Sequence, residues 1–404
     1  MNEKIGVYYI GALGGVATCA AVGLEAMRAG LVAPQGLVSE LPAFQRLGLP
    51  ALDRLEFGGC DVRTGSPFES ALEMHQESGF PPAPLIERLR KPLRALASRI
   101  DLGVTLNDAA AVRNMADPRA KRGASLSSSL KAIERNLRAF QKKVRADSIV
   151  VVNTASTAPV SKIPASWQDP DALMAVVAKD RRGEMRSAIL YALAAIRCGF
   201  PFVNFTPSDA NDIPALQTLA LDRGVPHMGK DGKTGETLLK TVLAPMFNAR
   251  ALKVLSWEGH NILGNRDGLV LEEPACKAAK ERDKDRSLRS LLTDPGMHSS
   301  VKIDYVPSLG DWKVAWDFIH FEGYLGTRMK LQLIWDGADS MLAAPLTIDL
   351  ARFACEAQSR GTVGLLPHLA SFFKTPVGVD EHAFFRQFQT LLDYTEKNGR
   401  TARG

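Results

Sequence analysis

The chain carries near its start a six-residue apolar run, Ile5–Ile10, which ends in a turn holding Gly11, Gly14 and Gly15 and passes into a helix-compatible segment. That order constrains the fold most. A parallel strand feeding a glycine turn and then a helix aims free N–H groups and the positive helix end at an anion, and the glycines let a pyrophosphate come close. The spacing, Gly11-Ala12-Leu13-Gly14-Gly15, is G-x-x-G-G rather than G-x-G-x-x-G. By itself it fits a structural strand-to-helix turn as well as a dinucleotide cradle.

The rest of the first half alternates strand-like and helical runs, as a doubly wound sheet requires. Ser148 to Asn153 (SIVVVN) reads as a strand buried between helix layers, with Thr154, Ala155 and Ser156 at the polar tip where such a sheet holds its ligand. Leu130, Ile133, Leu137, Phe140 and Val144 recur at helical spacing, so the basic run around them is the solvated face of an amphipathic helix. From Val301 to Trp335 the pattern turns to longer alternating strands, the sign of a mixed or antiparallel sheet. The expected fold is α/β, a Rossmann-like doubly wound parallel sheet with an inserted α+β unit. The boundaries drawn are 1–200 plus 340–404 for the nucleotide-binding domain and 201–339 for the catalytic and oligomerisation domain.

Composition excludes several classes. The five cysteines form no C-x-x-C pair and the seven histidines no H-x-x-x-H pair, which argues against a disulfide framework and a histidine-ligated metal. The net charge of +6 comes from 50 basic and 44 acidic residues, well interleaved and without a nucleic-acid-binding signature, so an anionic small substrate explains the excess. No apolar run is long enough to span a membrane, and the N-terminal one is too short for a signal peptide, which makes the cytoplasm the expected compartment.

Four further segments come in order: FGGCDV (57–62); FVNFTPSD with KTGETLLK; LGNRDG with AKERDK; and GDWKVAWD followed by DSMLAAPLTIDL. Together they resemble the myo-inositol-1-phosphate synthase family over nearly the whole chain. The resemblance implies an NAD-dependent isomerase that closes glucose 6-phosphate into an inositol phosphate. Its cycle oxidises carbon 5, enolises, attacks the carbon 1 aldehyde and returns the hydride. The family also implies a homotetramer, with a monovalent or divalent cation as a further candidate.

Such chemistry favours lysines, because an ammonium can hold a phosphate, stabilise an enolate or exchange a proton once burial lowers its pKa. By position the resemblance assigns Lys233 and Lys313 to proton transfer and oxyanion stabilisation, and Lys240 and Lys284 to substrate or phosphate contacts. It assigns Asp61, Asp231, Asp311 and Asp339 to the cofactor, together with the two turns. Asn204, Thr206, Asp209, Thr234, Gly235, Thr237, Asn261, Asn265 and Asp267 go to the substrate. Plainer readings stand beside these. Asp61 is equally a turn residue, and Asn204 and Asp209 could cap the turn before the next helix. Any one lysine taken alone would be a surface charge. The chain departs from the family at Lys230, Glu236 and Leu238, which leaves room for a related cyclase or epimerase on another sugar phosphate, or for an inactive NAD-binding homologue.

Overall fold

The computed structural model describes residues 3–121, 124–158, 164–270, 288–292, 294 and 296–399, apart from the side chains of residues 121 and 267. Seven strands form one parallel sheet: β1 (Ile5–Ile10), β2 (Leu55–Asp61), β3 (Ile100–Leu102), β4 (Ser148–Asn153), β5 (Phe202–Asn204), β6 (Pro226–Gly229) and β11 (Gly364–Leu365). Their order is β11-β6-β5-β4-β1-β2-β3, so the direction of winding reverses between β1 and β4. In register, Ile10 pairs with Cys60 on one side and Asn153 on the other, which brings three strand tips to one crevice. A doubly wound sheet binds its ligand at such a point.

Strands apolar on both faces demand cover on both faces, and helices supply it. The Leu126–Val144, Pro170–Ala178, Ser187–Arg197 and Pro214–Asp222 helices close one side. Leu130, Ile133, Leu137, Phe140 and Val144 all turn inward there, as the helical spacing predicts. On the other side the Gly15–Arg28 helix packs against the Asp339–Ser359 helix, which also lies on β4. The Tyr9 hydroxyl, on β1, meets Thr347 Oγ1 of that late helix at 3.0 Å.

The second sheet contains β7 (Lys253–Leu263), β8 (His298–Tyr305), β9 (Trp312–Glu322) and β10 (Arg328–Ala338) in the order β10-β9-β7-β8. It is mixed: β9 runs antiparallel to β7 and β10, whereas β8 runs parallel to β7. One face packs Val254, Trp257 and Ile319 against Ala244 and Phe247 of the Gly235–Ala249 helix. The other leaves Trp316 and Ile334 exposed. The parallel sheet reaches further along the chain than residue 200. β5 and β6 fall within the segment 201–339 drawn as the inserted domain, yet Val203 and Met228 are fully buried in the parallel sheet's core. No helix among the described residues is long and apolar enough to cross a membrane.

Candidate functional site

The crevice at the β1/β4 reversal opens into a cleft whose lining joins the glycine turn to the second sheet. Gly11 has φ +86, a conformation that costs glycine little, and a side chain there would press on the backbone of Ala155. The amides of Gly11 and Ala12 both donate to Cys60 O, that of Gly14 to Gly11 O, and that of Leu13 to Asp61 Oδ2 at 2.8 Å. The turn's own donors are therefore used internally. The anion-seeking donors are those of Gly15, Val16 and Ala17 in the first turn of the Gly15–Arg28 helix, where no carbonyl lies four residues back inside the helix. A Cβ on Gly15 would overlap Ser340 Oγ, and one on Gly14 would come within 3.1 Å of Gly11 O. Gly11, Leu13, Gly14 and Gly15 line the cleft together with Thr154, Ala155 and Ser156; Ala12 is buried beneath the turn.

Asp61 ends β2 at the edge of the cleft. It accepts from Leu13 N and, through Oδ1, from Arg63 N at 2.9 Å, which ties the glycine turn to the end of β2. Asp311 does similar work for another helix. It accepts from Ser340 N at 2.9 Å and Ser340 Oγ at 2.7 Å, capping the Asp339–Ser359 helix, and from Asn265 Nδ2 at 3.3 Å. Burial, then the neighbouring Asp339 carboxylate, pushes Asp311 up to about 6.

The opposite wall brings together Thr206, Asp231, Thr234, Asn265, Lys313, Asp339 and Lys374. Lys313 projects from β9 with its ammonium 3.6 Å from Asp339. Asp231, at φ +62, accepts from Lys374 Nζ at 2.8 Å through Oδ1. Its other oxygen is buried with no hydrogen-bond partner among the described residues, and such an atom wants a ligand donor. Lys374 was missed in the sequence. It follows Phe372 and Phe373 in an otherwise apolar stretch, and a lysine there must be buried and paired. Arg63 and Ser340 also line the cleft and were not singled out.

Other expected residues sit elsewhere. Asn204 is buried behind the cleft, accepting from Asn153 Nδ2 at 3.0 Å and donating to Ser208 O at 2.7 Å, which shapes the turn that presents Thr206. Asp209 pairs with Lys230, 2.9 Å away, and Asp212 lies 2.7 Å from the same ammonium. Burial works against that charge, but Asp212 and Asp209 hold the Lys230 ammonium above its ordinary value.

The helix begins at Gly235, so Lys233 precedes it and Lys240 lies within it. Lys233 points toward the C-terminal Phe384–Asn398 helix, where its Nζ donates to Gln387 Oε1, and burial draws it down to about 7. Lys240 is not brought to the cleft lining. It lies one helical turn beyond Glu236, facing β7 and β9, with Glu236 Oε1 at 2.6 Å and Asp317 Oδ1 at 3.6 Å. Asn261 donates to the second oxygen of Glu236 at 2.7 Å, and Thr237 is buried on the same helix. Gly235 takes φ +52 where the chain enters that helix. Lys284 and the Asp267 side chain lie outside the described residues. Among those residues, no group of three or more His, Cys, Asp or Glu side chains gathers to hold a metal.

A family model described as myo-inositol-1-phosphate synthase matches residues 235–340. Inositol-3-phosphate synthase 1 of Bacteroides thetaiotaomicron is 32% identical over 402 residues, covering 94% of this chain and 91% of that one. The chain spans less than half the length of the rice relative, inositol-3-phosphate synthase 1 of Oryza sativa, at 34% identity over 231 residues, 55% of this chain and 45% of the rice protein. Inositol-3-phosphate synthase from Caenorhabditis elegans shares the fold, with a TM-score of 0.88 at 22% identity over 100% of this chain and 87% of that chain. A myo-inositol-1-phosphate synthase-related protein from Thermotoga maritima also shares it, with a TM-score of 0.77 at 22% identity over 99% and 100%.

Proposed function

The chain belongs to the myo-inositol-1-phosphate synthase family, and from that premise we propose that it cyclises glucose 6-phosphate to 1L-myo-inositol 1-phosphate with NAD as cofactor. One observation carries the reading: a single cleft holds a glycine cradle at the sheet's reversal point and, on its far wall, Lys313, Lys374 and the half-satisfied Asp231. The cradle fits a dinucleotide, because the turn is tight enough to exclude side chains at Gly11, Gly14 and Gly15 and delivers the free amides of the helix start to the cleft. When bound, NAD supplies reversible hydride exchange, which makes carbon 5 a ketone in mid-cycle and restores it at the end.

In this reading the amides of Gly15, Val16 and Ala17 would hold the pyrophosphate, with Thr154 to Ser156 lining the same cleft. Asp311 and Asp339 keep the second helix N-terminus at the cofactor's edge. Lys313 and Lys374 present cations to the substrate's phosphate and to the oxyanion that grows during enolisation and ring closure. Asp231 Oδ2 takes a substrate hydroxyl, and Thr206, Thr234 and Asn265 complete the polar wall. Lys233, drawn down to about 7, has amine and ammonium forms together at neutral pH, the condition for proton transfer. Lys240, with Glu236, Asn261 and Thr237, supports the wall from behind.

We also propose that the nucleotide domain comprises the 1–200 and 340–404 segments with β5 and β6 added, and that the remainder of 201–339 is the catalytic and oligomerisation domain. The exposed face around Trp316 and Ile334 supports a homotetramer. The four described cysteines, all free, suit a reducing cytoplasm.

Incubating the protein with glucose 6-phosphate and NAD⁺ and following phosphorus NMR should give an inositol phosphate resonance without accumulation of NADH. A second reading, a related cyclase or epimerase on another sugar phosphate, draws on Lys240 being neutralised by Glu236 and Asp317 instead of facing the cleft. Bound NAD with no inositol phosphate formed would favour it.

A further inference from the structure

The cleft changes character along its length. Beyond the strand end at Asp61 lie apolar walls, Val62 and Met115, and the carboxylates of Glu73 and Glu77, one turn apart on the Pro67–Ser78 helix. In doubly wound folds the end of the second strand meets the adenosine ribose: an acid there reads the free 2′-hydroxyl, and an arginine nearby receives a 2′-phosphate. Here the acid, Asp61, already accepts from Leu13 N and Arg63 N. Two arginines are within reach, and both are engaged. Arg63 donates to Leu13 O, lies 3.4 Å from Asp61 and comes within 4.0 Å of Glu73. Arg266 enters from beyond β7 and pairs with the other oxygen of Glu73.

We propose that Glu73 sets the choice of nucleotide: by bridging Arg63 and Arg266 it withholds the two cations that a 2′-phosphate would need, so the chain selects NAD over NADP. This rests on the dinucleotide reading above and assigns the discrimination to a residue one layer behind the usual strand-end acid. A 2′-phosphate adds about −1.5 to −2 of charge. It would meet three carboxylates, Asp61, Glu73 and Glu77, against two guanidinium groups already neutralised. NAD, with a neutral hydroxyl at that position, meets no such repulsion.

The test is calorimetric titration of the full chain with NAD⁺ and NADP⁺ in the absence of sugar, so that no turnover enters the readout. The unmodified protein should favour NAD⁺ by roughly 100-fold or more, a difference of about 3 kcal/mol. Glu73→Gln keeps the shape of a half-exposed side chain and removes its charge. It should tighten NADP⁺ by about tenfold or more while leaving NAD⁺ within about threefold, with the gain shrinking at high salt. Adding Arg63→Ala to that variant should cancel the gain. An unchanged NAD⁺/NADP⁺ ratio in Glu73→Gln would overturn the inference while leaving the cofactor reading intact. Failure of the unmodified chain to bind either nucleotide would overturn both.

Discussion

The two walls of the cleft are built by opposite strategies. The nucleotide wall is continuous in sequence: Gly11 to Gly15 is one turn, its amides are held by the Cys60 carbonyl and the Asp61 carboxylate, and the anion-binding donors that follow are main-chain amides at a helix start. The substrate wall is assembled from side chains that are far apart in sequence. Asp231 meets Lys374 across 143 positions, and Thr234 meets Asp339 across 105. A wall of amides binds any suitable anion that fits, whereas a wall of converging side chains can be specific and can respond to charge that appears only during reaction. The contrast teaches that affinity and turnover should separate along the cleft.

The largest effect is expected on the substrate wall. Lys313→Ala or Lys374→Ala should cut kcat by about 100- to 1000-fold, the usual cost of losing a preorganised charge-stabilising donor, with NAD⁺ affinity within about threefold. Lys233→Ala should lower kcat with them, because its amine near pH 7 is the group suited to proton transfer. Steady-state kinetics beside nucleotide titration measure both quantities, and an equal loss of NAD⁺ affinity in these variants would erase the contrast.

Next comes Asp311, which stands between the walls. The folded protein holds its proton more tightly than the unfolded chain does, because burial and Asp339 disfavour the ionised form. Its stabilisation is therefore complete below the ordinary carboxylate pKa and lost as pH rises through about 6. Between roughly pH 4 and 6 the unmodified protein should lose up to about 3 kcal/mol more stability in chemical denaturation than Asp311→Asn, while Asp349, also raised to about 6 by burial, titrates in both. An identical pH dependence in the variant would show that Asp311 is already ionised at pH 4.

Gly15→Val acts on the nucleotide wall alone. The added side chain collides with Ser340 at the contact between two helix starts, so stability should drop by about 1–3 kcal/mol and NAD⁺ affinity by about tenfold or more, while kcat at saturating NAD⁺ holds within a few-fold. The smallest effect sharpens the comparison from outside. Lys142→Ala, on the Leu126–Val144 helix, should change stability by less than about 0.5 kcal/mol and leave both walls untouched.

The same division decides what the sequence disclosed. The strand, glycine turn and helix at the start, the inward stripe of the Leu126–Val144 helix and the change to long alternating strands after Val301 all express short-range periodicity, and each is present in the structure. The hidden features depend on partners. Lys240 is enclosed by Glu236 and by Asp317, 77 positions away, a pairing its own segment does not record. Lys374 carried little signal in its own segment, since its meaning comes from Asp231. The bonds that Asp61 accepts from Leu13 N and Arg63 N join it to the turn after β1, a partner its own segment does not record. β5 and β6 were recognisable as strands, but their membership of the parallel sheet depends on pairing with β4, which no local pattern records.

The packing of the Asp339–Ser359 helix on the Gly15–Arg28 helix and on β4 has a consequence for how the protein is made. This part of the first strand's cover is translated late: Tyr9 waits for Thr347, 338 positions downstream, and Val38 and Ser39 wait for Asp349. At about 5–20 residues per second a ribosome needs roughly 15 to 70 s to deliver that helix. Throughout that interval the nascent chain displays one apolar side of β1 and β4 to the cell. The growing polypeptide is therefore a natural client for chaperones that shield such surfaces, and a message truncated shortly before codon 339 should yield aggregate instead of a nucleotide-binding fragment.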